Sequence, residues 1–243
     1  MRTSNPALSE KAFTFVDSSA QRMTLQGTVA KTGILLAVVL TGAIFGWRLL
    51  SLAPASVLPA TFGGAIVGFL LAMVIMFKPK TSPYLAPVYA LAEGVFLGAL
   101  SGFMQTIYPG IVLPAILLTF GVAGSLLAAY ASGLVRATEN FKLGIMAATG
   151  GIAIVYLATF VLGFMGIQIP YIHGSGIIGI GFSLIVVVIA ALNLVLDFDF
   201  IEKGVENGAP KYMEWYASFG LLVTLVWLYL ELLRLLAKLQ GRD

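Results

Sequence analysis

Long apolar runs, seven of them with only short polar breaks between, constrain this chain more than any other feature. Bilayer hydrocarbon needs about 20 residues of apolar helix to cross it. Candidate spans of that size cover 29–50, 56–77, 84–107, 111–134, 144–166, 176–200 and 214–237. Inside lipid every backbone polar group must be bonded within the protein, which leaves helices or a closed barrel. Barrel strands run about 10 residues and alternate polar with apolar; these runs do neither. The expected fold is therefore an all-α polytopic membrane helix bundle. The breaks agree with it: Lys78-Pro79-Lys80 stops the second run, Tyr108-Pro109-Gly110 turns between the third and fourth, and residues 136–142 separate the fourth from the fifth. Only 10% of residues are charged, against about 25% in a soluble domain, so a water-soluble fold is excluded.

Composition also removes several chemistries. There is no Cys, hence no disulfide framework, thiolate metal site or cysteine nucleophile. The single histidine, His173, cannot make a histidine-rich zinc site or an HExxH helix. A net charge of +3 is spread over many loops and does not form a nucleic-acid surface, so no nucleic-acid partner is expected. Gly174-Ser175-Gly176-Ile177-Ile178-Gly179 matches GxGxxG but opens a membrane helix, where a dinucleotide site would need a preceding strand in a βαβ unit. No Ser/His pairing lies within the spans, and no paired broken helices or inverted repeats are evident. An enzyme is not expected, and neither is a cofactor.

Residues 1–28 read as a polar cytoplasmic tail that stays attached, since they lack the apolar core and cleavage site of a secretory signal. Ala12, Phe13, Phe15 and Val16 give part of it an apolar face suited to the interface, with a disordered tail as the alternative. Residues 29–243 read as one transmembrane domain. Cytoplasmic loops are rich in Lys and Arg. Arg2, Lys11, Arg22 and Lys31 lie at the first end of span one, and Lys78, Lys80, Arg136, Lys142, Lys203 and Lys211 fall in the loops on that same side. Arg48 stands nearly alone opposite. This places the N-terminus of a multi-pass protein in the cytoplasm. Arg234, Lys238 and Arg242 contradict the rule if the last segment crosses, so six spans plus a re-entrant seventh segment is the alternative.

Gly94, Gly98 and Gly102 recur every four residues along one face of the third span, and Gly42 with Gly46, and Gly64 with Gly68, repeat the spacing. Such small-residue seams let helix backbones approach closely, within the bundle or toward a partner. Carboxylates in hydrocarbon are functional candidates by default; here they are Glu93, Asp197, Asp199 and Glu231. Glu93 falls near mid-bilayer beside the glycine seam. Asp197 and Asp199 are about 200° apart on a helix, so either one faces the bundle, expected to be Asp197, and the other the headgroups, or both end the helix at the interface. Arg234, three residues after Glu231, offers it a local ion pair. Two buried acids brought together would share a proton, and such a pair could latch helices or attract a divalent cation with its oxygens.

At these residues the chain resembles a known family. Leu196-Asp197-Phe198-Asp199-Phe200-Ile201-Glu202-Lys203-Gly204, then Leu228-Tyr229-Leu230-Glu231-Leu232-Leu233-Arg234, are similar to the end of the Bax inhibitor-1 (TMBIM) family, nearest its bacterial, YccA-like branch. Tyr89-Ala90-Leu91-Ala92-Glu93-Gly94-Val95-Phe96-Leu97-Gly98 is similar to its Gly-rich third helix. The resemblance implies a seven-helix bundle with the last helix central, and a pH-sensitive calcium leak latched by one acid of helix six and one of helix seven, here Asp197 and Glu231. The chain departs from the pattern in having Glu at the second position and no basic residue within 56–77. Its two acids also lie farther apart in sequence than the family pair. With a hairpin near Gly208, Glu231 would overshoot Asp197 by roughly 18 Å. Candidate partners are the lipid bilayer, calcium or another cation, and another membrane protein such as a quality-control protease, bound through the glycine seam and the cytoplasmic tail by a non-conducting regulator.

Overall fold

The computed structural model describes residues 22–166 and 174–241. The apolar face expected at Ala12 to Val16 and the histidine His173 lie outside the described residues. Seven helices long and apolar enough to cross a bilayer follow in order: α1 Leu25–Leu52, α2 Val57–Phe77, α3 Ser82–Ile107, α4 Val112–Ala131, α5 Glu139–Phe164, α6 Ile177–Glu206 and α7 Met213–Gln240. Helix ends extend beyond the apolar runs because polar residues take the caps. Thr24 opens α1 by accepting a hydrogen bond from Gly27 N at 3.0 Å, and Thr138 opens α5 in the same way from Phe141 N. An N-cap side chain satisfies one of the four backbone donors that a helix start leaves unbonded. Gly176 caps α6, so the GxGxxG stretch is the entry to a membrane helix and no more.

α3 and α7 form the middle of the bundle and are its most buried helices, while α5 is its least buried. α1 packs on both of them, and α2 covers the other side of α3. α6 lies along α7, α4 bridges α6 and α7, and α5 sits outermost against α6. Leu35, Ile75, Leu194, Leu222 and Leu228 are fully buried where these helices meet.

The last segment runs the full length of the bundle. At its start Glu214 bonds Thr24 and Lys31, at the first end of α1. At its far end Lys238 donates to Gly179 O at 3.0 Å, and Gln240 donates to Pro109 O. The re-entrant alternative is therefore set aside. Two of the basic residues that suggested it are explained by where they point, and the third, Arg242, lies outside the described residues. Arg234 pairs with Glu231, and Lys238 turns inward to Gly179 O and to Ser183 Oγ at 2.8 Å. Neither is a loop charge of the kind the orientation rule counts.

The reversal between α6 and α7 depends on Gly208, whose φ of +63° is a left-handed conformation that costs a residue with a Cβ far more than glycine. It turns the chain so that Ala209 O accepts from Met23 N at 2.7 Å, tying this hairpin to the start of α1.

Candidate functional site

In a helix bundle surrounded by lipid tails, association rests on close packing and polar bonds between helices, and both devices are present. Gly42 and Gly46 of α1 meet the Leu91 and Val95 carbonyls of α3, while Gly94 and Gly98 of α3 meet the Val39 and Ala43 carbonyls of α1. A Cβ at Gly42 would stand 2.6 Å from Leu91 O, and one at Gly98 would overlap Ala43 O outright. Gly102 receives the Leu50 side chain. Gly64 faces Ala92 and Phe96 from α2. The glycines are consumed within the bundle, so the seam offered as a route to a partner protein is closed.

Glu93, the twelfth residue of α3, is buried and points at α2. Gly68 makes room for it: a Cβ there would lie 2.5 Å from Glu93 Oε2.

The other three acids all lie along the seam of α5, α6 and α7, and each has its own surroundings. Asp199 faces α5 and is held by Lys142 at 2.7 Å and Lys203 at 3.1 Å. Lys142 and Lys203 also reach Glu139, and Tyr130 of α4 donates to Glu202. Together they make a charged cluster at one end of the bundle. Asp197, two residues earlier and turned the other way, faces α7 beside Thr224, whose hydroxyl donates to Gly220 O at 3.3 Å. Its Oδ2 is the one buried side-chain oxygen or nitrogen without a hydrogen-bond partner among the described residues. Glu231, 1% exposed, accepts from Arg234 Nη1 at 2.9 Å and from the Tyr156 hydroxyl of α5 at 2.9 Å. Arg234 also donates to Tyr156 Oη at 2.6 Å.

The expected meeting of Asp197 with Glu231 is corrected by this arrangement. The α7 residue opposite Asp197 is Thr224, and Glu231 lies seven residues farther, about 10 Å along the helix. Its carboxylate is already neutralised by Arg234. The acids are enclosed one by one rather than as a proton-sharing pair.

Among the groups to which sequence reasoning gave no place in a site, four stand out. Glu214 is fully buried and binds Lys31, Lys211 at 2.8 Å, and both the backbone N and the hydroxyl of Thr24 at 2.9 Å. Gly27 leaves it space on α1. The available signal was its spacing of three from Lys211, which reads equally well as a surface pair. Lys142, Thr149 and Tyr156 are the others. They recur every seven residues on α5, hence on one face, and bond in turn Asp199, Asn193 and Glu231. That periodicity was visible in the sequence.

From one end to the other, the α5–α6–α7 seam thus presents the Asp199 lysine cluster, Asp197 with Thr224, Asn193 with Thr149, Glu231 with Tyr156 and Arg234, and finally Lys238 with Ser183. The chain matches the family model described as Bax inhibitor 1 like over residues 5–241, nearly its whole length. No curated protein matches it.

Proposed function

The chain belongs to the Bax inhibitor 1 like family, and from that premise we propose that it is a pH-sensitive cation leak, with calcium the candidate ion and Asp197 the residue that senses protons. The observation that carries this reading is the unpartnered Oδ2 of Asp197, set between polar stations that span the bundle. A buried carboxylate oxygen without a donor is costly unless something else meets it. A cation does so as an oxygen ligand, and a proton does so by removing the charge. The two compete for the same oxygen, so added protons close the leak.

The groups around Asp197 suit the role. Thr224 on α7 faces it with a neutral hydroxyl, Asn193 lies one turn along α6, and the lysines Lys142 and Lys203 are engaged on the opposite face by Asp199. Glu231, with its arginine and tyrosine, is a structural anchor in this scheme rather than half of a latch. A bacterial inner-membrane address with the N-terminus cytoplasmic accompanies the proposal. The orientation is supported by Lys78, Lys80, Arg136, Lys203 and Lys211, which lie at the end of the bundle where α1 begins.

The test is calcium flux into liposomes containing the protein and an enclosed calcium dye, across about pH 6 to 8, a range that buried carboxyls reach. Wild type should conduct more as pH rises, and Asp197→Asn should abolish that dependence. Equal flux and equal pH response in the two proteins would remove Asp197 from the mechanism.

A non-conducting regulator that docks on another membrane protein is the second reading. The outward face of α5 favours it, since Gly150 and Gly151 have nothing packed over them. Crosslinking from that face should recover a stoichiometric partner; recovery of the protein alone counts against it.

A further inference from the structure

α1 and α4 stand apart on the lipid-facing side of the bundle, and the cleft between them is floored by α3 and α7. It encloses about 390 Å³. Leu36, Leu40 and Ile44 form one wall, Ile116 and Phe120 the other, and Leu222 lies on the floor. The two hydroxyls on that floor, Ser101 and Tyr229, bond each other at 2.6 Å, so the surface asks for no polar partner. Along α1 the cleft runs from Arg48 to Leu36, twelve residues or about 18 Å. One leaflet of a hydrocarbon core about 30 Å thick is about 15 Å deep, so the cleft reaches from headgroup level to the bilayer centre.

The rim carries a charge of one sign. Arg48 lies one turn from the end of α1, exposed, and among the described residues it has no ion pair. Its neighbours at that end are differently placed: Arg234 is bound to Glu231, and Lys238 is turned inward. An exposed guanidinium at headgroup level, above an apolar slot one leaflet deep, matches a phosphodiester with a hydrocarbon chain below it. We infer that the α1–α4 cleft is a phospholipid site, in which one acyl chain lies against Leu36, Ile116 and Leu222 while the lipid phosphate sits on Arg48.

A phosphatidylglycerol carrying a photoactivatable group at one chain tip, added to phosphatidylcholine vesicles containing the full chain, tests this. Mapped crosslinks should concentrate on Leu36 and Leu222 over Phe69 and Leu157, which face lipid on α2 and α5. Ile116→Trp, which fills the slot, should abolish the preference. Arg48→Gln, at an exposed position that the fold does not depend on, should lower cleft labelling about fivefold, the effect of one basic residue near an anionic headgroup. The same variant should leave labelling by an uncharged diacylglycerol with the same chain unchanged. Excess inorganic phosphate should not compete. Cleft labelling no higher than at Phe69 and Leu157 overturns the site, and labelling indifferent to Arg48→Gln overturns the phosphate assignment.

Discussion

α3 and α5 are helices of equal length, 26 residues each, fastened to the molecule in opposite ways. α3 is held by backbone contact: Gly94 and Gly98 rest on α1 carbonyls, and Gly64 and Gly68 of α2 close over its other side. α5 also contains glycines, Gly144, Gly150, Gly151 and Gly163, and a Cβ on any of them would meet nothing. Its buried apolar side chains are Ile145 and Ile152. What joins it to α6 and α7 is the row Lys142, Thr149 and Tyr156. Lipid tails are as apolar as leucine, so greasy surface alone holds neither helix. Close approach does so for α3 through many small dispersion contacts, and polar bonds do so for α5 through a few strong ones. A helix attached by few bonds is the one that can be released at least cost.

The sharpest way to break the α3 attachment is Gly98→Leu. The side chain would collide with the Ala43 carbonyl, which is backbone and cannot swing aside, and overpacking of this kind costs about 3 kcal/mol or more. Thermal unfolding in detergent should show a large loss, or no folded protein. Tyr156→Phe comes next. It removes a hydroxyl shared by Glu231 and Arg234 but leaves that ion pair intact, so about 1 to 2 kcal/mol is expected. Hydrogen exchange should rise along α5 while α1 and α3 remain protected; a uniform rise would mean that α5 does not open independently.

Smallest in size, and most telling in sign, is the pair Gly144→Ala and Gly94→Ala. At Gly144 the added methyl enters open space and should stabilise helix α5 by about 0.5 to 1 kcal/mol. At Gly94 the same methyl would overlap Val39 O and should destabilise. Equal effects at the two sites would show that the glycines of α1 and α3 are not a packing surface.

Much of this architecture was legible in the sequence because lipid leaves few options. Seven apolar runs became seven helices, and α2 ends at Phe77 and α3 at Ile107, where polar residues had marked the stops. The starts of α3 and α5 were read late, since Ser82 and Glu139 belong to polar punctuation that the helix absorbs as its first turn. The candidate site was less legible. Asp197, Glu231 and Glu93 stood out because an acid in oil needs a reason. Glu214 did not, because Lys31 and Thr24, which bind it, lie on α1 at the opposite end of the chain.

Hydropathy, a property of each segment alone, determined that this protein is a membrane helix bundle and roughly where each of its seven apolar helices begins. That the last of them runs the full length of the bundle took the tertiary contacts. Which acids would meet was decided only by the tertiary structure. The level of a residue on α7 relative to α6 depends on the turn at Gly208 and on packing of both helices against α1 and α4. A shift of two turns along α7 exchanges Thr224 for Glu231 opposite Asp197 without changing the hydropathy of any segment.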